Sequence, residues 1–207
     1  MTRETTEIYG HAKFQLPLTI RRCAREDLEN LEWLGLLQHH REIIQSAYRR
    51  QKRGEVLLLL AVSDANGLPV GQVWIDLLRK REESVGYLWA VRVVPWLRKH
   101  GIGARLIETA EDILSERGFR HAELTVERTN RAAVRFYERI GYRKEGALEE
   151  EYEYRTPEGE HHRIYLDELI YRKELDPSRR ARRERREAGR KSDKKDGARA
   201  RRPGRSR

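Results

Sequence analysis

The sequence predicts an α/β domain, a mixed and mostly antiparallel sheet flanked by helices rather than a doubly wound parallel one. Three observations carry that expectation. An Asn66-Gly67 turn signal separates two apolar runs, which is the mark of an antiparallel hairpin. A strand, a helix and a further strand then follow over 84–126, which is a crossover unit. Helical and strand periods persist as far as Asp176 and vanish beyond it.

The elements follow in order. Residues 18–22 alternate like a half-buried strand. A helix is expected over 25–37, with Leu28, Leu31, Leu34 and the Trp33 ring near one stripe. A second is expected over 41–53, with Ile43, Ile44, Ala47 and Tyr48 at helical spacing and Gly54 as its stop. Residues 56–62 read as a buried strand and 68–77 as its returning partner. A long strand over 84–94 is rich in β-branched and aromatic residues and halts at Pro95. The helix over 102–117 is strongly amphipathic. Its apolar face is Leu106, Ile107, Ala110, Ile113 and Leu114, and Gly118 ends it. A strand over 121–126 leads to a helix over 131–140, with Asn130 as N-cap and Gly141 as stop. The last pair of strands is expected at 142–145 and 163–171, joined through 152–162 with a turn at Thr156-Pro157-Glu158-Gly159.

Charge divides the chain unevenly. The 207 residues carry 44 Lys and Arg against 34 Asp and Glu, a formal net of +10. Residues 177–207 hold 15 basic and 4 acidic residues, a net of +11, so residues 1–176 stand at −1. The basicity belongs to a tail and says nothing about the domain. This gives a lead over 1–17, either flexible or packed as an arm, a domain over 18–176, and a tail over 177–207. The tail lacks apolar residues to offset its ordering entropy and is expected to be disordered when free. It is either a solvated extension or a non-specific contact for nucleic acid or ribosomes. The longest apolar run, 56–62, is far below the roughly 20 residues of a membrane span. The first seven residues show no apolar stretch of a secretory leader. Cys23 is the only cysteine, expected to be buried and inert, so neither an internal disulfide nor a cysteine zinc site is available. His39-His40 lacks a metal-binding spacing. A cytoplasmic protein with no metal is the simplest account.

The segment Val91-Arg92-Val93-Val94-Pro95-Trp96-Leu97-Arg98-Lys99-His100-Gly101-Ile102-Gly103-Ala104-Arg105 carries the chemistry. A strand stops at a proline, a basic loop follows, and Gly-x-Gly opens a helix. The first amides of a helix lack internal acceptors and the helix dipole is positive there. Glycines let an anion approach the backbone, and Arg98, Lys99 and His100 add charge. The loop therefore reads as a phosphate or pyrophosphate site. It is not a Walker loop, because Gly103 is followed by Ala104-Arg105. Nor is it a dinucleotide fingerprint, because Leu106 stands where the third glycine belongs.

Arg98-x-x-Gly101-x-Gly103 after a strand ending in Pro95 resembles the acyl-CoA loop of the GNAT superfamily of N-acetyltransferases. Downstream, Asn130-x-x-Ala133-x-x-x-Tyr137-x-x-x-Gly141-Tyr142 resembles that superfamily's second element, with Tyr142 in place of a phenylalanine. The likeness covers residues 18–173, and within the superfamily the arrangement looks most like enzymes that acetylate protein amino termini, including ribosomal-protein acetyltransferases. The resemblance implies roles. Backbone groups of Val91, Arg92 and Val93 pair with the pantetheine arm of acetyl-CoA, and one amide polarises the thioester carbonyl. Residues Arg98, Lys99, His100, Gly101, Ile102, Gly103 and Ala104 cradle the pyrophosphate. Asn130 contacts the pantetheine or caps its helix. Tyr137 protonates the leaving thiolate, and its phenol, with an ordinary pKa of about 10, is protonated at neutral pH. Relatives acting on amino termini often carry a glutamate at the position of Thr125. Here Glu123 and Glu127 flank it on the same strand face, and Glu127 is the choice of base, acting directly or through water. The expected activity is transfer of acetyl from acetyl-CoA to a primary amine, on a protein amino terminus, a lysine or a small molecule. The acidic Glu149-Glu150-Glu151 and Glu153 run is expected to attract a cationic acceptor. The rival is an inactive CoA-fold module tethered to RNA or ribosomes by the tail.

Overall fold

Ten regular elements follow one another: β1 (Leu18–Arg22), α1 (Arg41–Lys52), β2 (Val56–Ser63), β3 (Pro69–Lys80), β4 (Val85–Val93), α2 (Ile102–Glu116), β5 (His121–Glu127), α3 (Arg131–Arg139), β6 (Arg143–Arg155) and β7 (His161–Glu174). They belong to a computed structural model that describes residues 15–33, 40–155 and 161–178. Most of the lead over 1–17 and of the tail over 177–207 lies outside the described residues, as do 34–37 of the first expected helix and the turn expected at 156–159. The strands form one seven-stranded sheet in the order β1-β2-β3-β4-β5-β7-β6. Every neighbouring pair is antiparallel except β4 with β5. That pair is parallel because α2 carries the chain back between them. Among the described residues no helix is long and apolar enough to cross a membrane.

Two apolar clusters cover the two sheet faces. β2 is buried along its whole length, and its residues alternate between them. Leu57, Leu59 and Ala61 join Leu106, Ile107, Ala110 and Leu114 of α2. Val56, Leu58, Leu60 and Val62 join Ile44 and Ala47 of α1, with Leu31 and Trp74. α2 lies so close to β4 that a Cβ on Gly86 would fall 2.2 Å from Leu114 Cδ2, so glycine is what seats this helix. On the other face Gln51 donates to Cys23 O at 2.9 Å and accepts from Leu58 N–H at 3.0 Å, tying α1 to the β1 end and β2. Burial pushes the Cys23 thiol up to about 12, so it stays protonated and unreactive.

Two expectations are corrected. In place of one helix over 25–37, the described part holds two 3-10 turns, Arg25–Asp27 and Asn30–Glu32, and Trp33 then takes a left-handed φ of 45°. The cause is Asp27. Its buried carboxylate accepts from Ala24 N–H at 2.7 Å and from both guanidinium nitrogens of Arg21 at 2.7 and 2.8 Å, fixing a tight turn against β1. The apolar periodicity was real, but Leu31 is buried from a turn. The second correction concerns the strand expected over 142–145, which runs through Arg155 and pairs with β7 from Arg143↔Arg172 to Arg155↔His161. Its glutamates conceal a strand because β6 is the sheet edge, where charge prevents further pairing.

Glu123 on β5 is buried yet receives hydrogen bonds from Lys80 and, at 2.6 Å, from Arg172. Burial raises its carboxyl pKa, but these two cations outweigh that and hold it below the ordinary range. The stabilisation is therefore present above the unfolded pKa and is lost as pH falls through the lowered folded one. Glu123→Gln should cost about 3 kcal/mol at neutral pH. The gap to wild type should begin to shrink below the unfolded carboxyl pKa of about 4.3 and close only as pH falls through the lowered folded one, as urea titrations at a series of pH values would read.

Candidate active site

The site begins where two strands part. β4 and β5 keep their parallel register only from Val85↔His121 to Leu88↔Leu124. Beyond it β5 stays paired with β7 as far as Glu127↔Glu168, while β4 runs on beside β3 to Gly71↔Val93. Burial falls at the same point, from full over 85–88 to partial over 89–93. A bulge contributes to the parting. Trp74↔Trp89 and Gln72↔Arg92 leave two residues of β4, Ala90 and Val91, opposite Val73 alone, and Ala90 adopts φ 50°. The bulge also exchanges the faces. Leu88 points to the α2 side, Trp89 and Ala90 pack on the α1 side, and Val91 and Val93 return to the α2 side. Val94 N–H donates to Val70 O at 2.9 Å, across to the β3 side. By ladder alternation the Val93 backbone groups, and two residues back those of Val91, point into the gap between β4 and β5.

The basic loop folds over the mouth of this gap. Pro95–Leu97 form a 3-10 turn, Arg98 Nε donates to Val93 O at 3.1 Å, and His100 Nδ1–H donates to Arg98 O at 2.7 Å. Arg98, Lys99 and His100 are exposed. Lys99 and Gly101 take positive φ, 66° and 83°, so the chain enters α2 through a left-handed corner. The first helical bond is Arg105 N–H to Gly101 O at 3.0 Å, which leaves the amides of Ile102, Gly103 and Ala104 ahead of the ladder. A Cβ on Gly101 would meet nothing within 4 Å, and one on Gly103 would touch only Phe136 Cζ at 3.6 Å and Val93 Cγ2 at 3.7 Å. Open backbone, leading amides and three basic side chains therefore lie together beside a free strand edge. These residues fit a long thiol carrier with a pyrophosphate: an extended arm along β4 and an anion at α2.

α3 closes the far side. Asn130 caps it, its side chain accepting from Ala133 N–H at 3.1 Å, so the expected cap is observed. Tyr137 is buried, its ring edge-on to Phe136 at 5.1 Å and to Tyr142 at 5.9 Å. Burial, and after it the neighbouring Tyr87 phenol, push the Tyr137 hydroxyl pKa well up, so the proton is retained at any physiological pH. Glu127 is exposed at the end of β5, and its carbonyl accepts from Asn130 N–H at 2.9 Å. Glu123, the other acid weighed as base, is committed to its ion pairs.

Sequence reasoning missed Tyr87. It lies on β4 directly across from Glu123, and its hydroxyl is 3.0 Å from Thr125 Oγ1. The position at which related enzymes often hold a glutamate thus forms a neutral hydroxyl pair. Strand parity shared by Tyr87 and Glu123 would have hinted at it only with the β4–β5 register in hand. The acidic run is partly engaged as well, because Glu149 accepts from Tyr165 Oη at 3.1 Å and lies 3.8 Å from Arg128. Among the described residues no group of three or more His, Cys, Asp or Glu could hold a metal ion.

The acetyltransferase (GNAT) family matches residues 23–142 of the chain. An uncharacterized N-acetyltransferase of Archaeoglobus fulgidus is 31% identical over 134 residues, covering 58% of this chain and 89% of that protein. An uncharacterized N-acetyltransferase of Methanocaldococcus jannaschii is 40% identical over 86 residues, 39% of this chain, and the chain spans only 37% of that relative's length. Among solved structures, the ribosomal-protein-S18-alanine N-acetyltransferase of Escherichia coli superposes with a TM-score of 0.57 at 20% identity, over 77% of this chain and 95% of that one, which shows a shared fold. The parted β4 and β5, the Gly-x-Gly helix start and a family match over more than half of the chain lead to one conclusion: the protein belongs to the acetyltransferase (GNAT) family.

Proposed function

We propose that the chain moves an acetyl group from acetyl-CoA to a primary amine by direct attack. The observation that carries this reading is the unpaired β4 edge beyond Leu88, set against the amide-rich start of α2. Bound there, acetyl-CoA supplies a thioester carbonyl to be attacked and a thiolate to leave. The backbone of Val91, Arg92 and Val93 aligns the arm as an added strand would, with an amide of the gap edge donating to the carbonyl oxygen. Arg98, Lys99, His100 and the leading amides from Gly101 to Ala104 hold the pyrophosphate, and Asn130 supports the arm while capping α3. The Tyr137 hydroxyl hands its proton to the departing sulfur. Glu127, directly or through water, takes the proton that the amine sheds. Most of the acceleration comes from holding amine and thioester together.

The acceptor classes in play are a protein amino terminus, a lysine or a small amine. A single cysteine suits a cytoplasmic setting. The basic tail adds a non-specific hold on nucleic acid or ribosomes, sensitive to salt. The test is to supply the full chain with acetyl-CoA and a panel of the three amine classes, following CoA thiol release and acetylated product. Amine-dependent release supports transfer. Acetyl-CoA binding with no release for any class supports the inactive, tail-tethered module.

A further inference from the structure

We infer that the acceptor carries a carboxylate near its amine and that the Arg92 side chain, backed by Gln72 and Trp89, selects it. The inference rests on the proposed acetyl transfer and deepens it. The bulge at Ala90 gives Arg92 two opposed faces. Its backbone lies between Val91 and Val93, whose groups face the gap assigned to the thioester arm, whereas its side chain projects to the α1 side with Gln72, its direct partner across β3. α2 and α3 occupy the opposite side with the basic loop, so the α1 side is left for the acceptor.

Four side chains form a patch there: Gln72 opposite Arg92, and Trp74 opposite Trp89. Trp74 and Trp89 meet edge to face at 4.7 Å. Gln72 has no solvent exposure, and its Oε1 accepts from Trp74 Nε1–H at 3.1 Å. That bond fixes the amide orientation and turns Nε2 the other way, where it has no partner. Trp89 Nε1–H is likewise buried without an acceptor. Both groups are donors. An orphaned buried donor is costly, and each one in a native structure calls for an explanation, of which an acceptor supplied by a bound molecule is one. The third group is the half-buried Arg92 guanidinium. Among the described residues no carboxylate pairs with it, and its contact with His40 Nε2, at 3.4 Å, is too long to be more than weak. Burial alone acts on its charge, lowering its pKa, whereas Arg21, Arg50, Arg128 and Arg172 are each raised by an acid. A planar cation beside two orphaned donors is the chemistry that recognises a carboxylate. Glu127 lies on β5, across the gap, and the two charges therefore suit an amine on one side and a carboxylate on the other.

The shared chemistry is amine plus carboxylate, from a free amino acid or from a peptide with an acidic second residue. Two matched pairs separate the sources: 4-aminobutanoate against its amide, and amidated peptides beginning Ser-Asp against Ser-Asn. The full chain is first titrated with acetyl-CoA, and kcat/KM is then read for each acceptor from thiol release. The carboxylate member of at least one pair should be favoured by about 10- to 100-fold, the worth of one to two charge-assisted hydrogen bonds. The pair showing the preference names the source. Arg92→Gln should collapse that ratio towards one, and Arg92→Lys should restore part of it. Equal use of both members of both pairs by the wild type, turnover of neutral amines alone, or a ratio unchanged in Arg92→Gln overturns the inference while acetyl transfer stands. A folded chain that does not bind acetyl-CoA overturns the reading of the function beneath it, and the inference with it.

Discussion

Gly103→Glu should abolish acetyl-CoA binding in a protein that still folds. Gly103 is not at positive φ, and a Cβ there makes ordinary contacts at 3.6 and 3.7 Å with Phe136 and Val93, so the backbone accepts a side chain. A carboxylate in the first turn of α2 also complements the helix dipole, worth about 0.3–1 kcal/mol. Stability should therefore be unchanged or slightly raised. The same carboxylate takes the leading amides that a pyrophosphate would use and repels it at close range. Calorimetric titration should show the affinity lowered by at least about 100-fold, the worth of two charge-assisted hydrogen bonds lost. Tight binding by a folded Gly103→Glu variant would place the anion elsewhere and remove the loop from the mechanism.

Tyr137→Phe should divide binding from turnover. The ring packs between Phe136 and Tyr142, and phenylalanine keeps those edge contacts, so the core is retained. Only the hydroxyl is lost. Acetyl-CoA affinity should stay close to wild type, while kcat falls by about 10²-fold or more, the usual contribution of a positioned acid. The pH profile adds a second readout. Burial and then Tyr87 raise the Tyr137 pKa, so the acid remains loaded well above neutrality. An alkaline loss of wild-type activity below about pH 9 should therefore not arise from this phenol, whose ordinary pKa is already about 10. Unchanged kcat in the variant would mean that water or the Tyr87–Thr125 hydroxyl pair delivers the proton.

Much of this was legible in the sequence, because the deciding signals are local. A helix such as α2 announces itself by apolar residues on one stripe and a glycine beyond its end, and Ile102–Glu116 matches the expected span to within a residue. Asn130 is a cap in the sequence and a cap in the structure. The Gly101-x-Gly103 loop needs its glycines for the left-handed corner at 101 and for the open approach at 103, both of which a short motif can encode. Composition alone divides the charge between a nearly neutral 1–176 and a basic 177–207. Such features depend on residues a few positions apart.

Tertiary structure decided what depends on partners far away in the chain. Whether 25–37 coils into a helix or two tight turns turned on the Arg21 guanidinium and the Ala24 amide reaching Asp27. The glutamate-rich 149–153 became strand through pairing with β7 at the sheet edge, against its own weak propensity. Glu123 and Glu127 look alike in sequence, and only Lys80 and Arg172, from β3 and β7, commit the first to ion pairs, while the second stays exposed at the end of β5. The bulge at Ala90 has no glycine to betray it, yet it aims Val91 and Val93 at one face and Arg92 at the other. Sequence by itself therefore determined the family, the Gly-x-Gly start of α2 and the Asn130 cap of α3. The sheet face to which Arg92 points was decided by strand register, since one extra residue in β4 reverses every side chain after it.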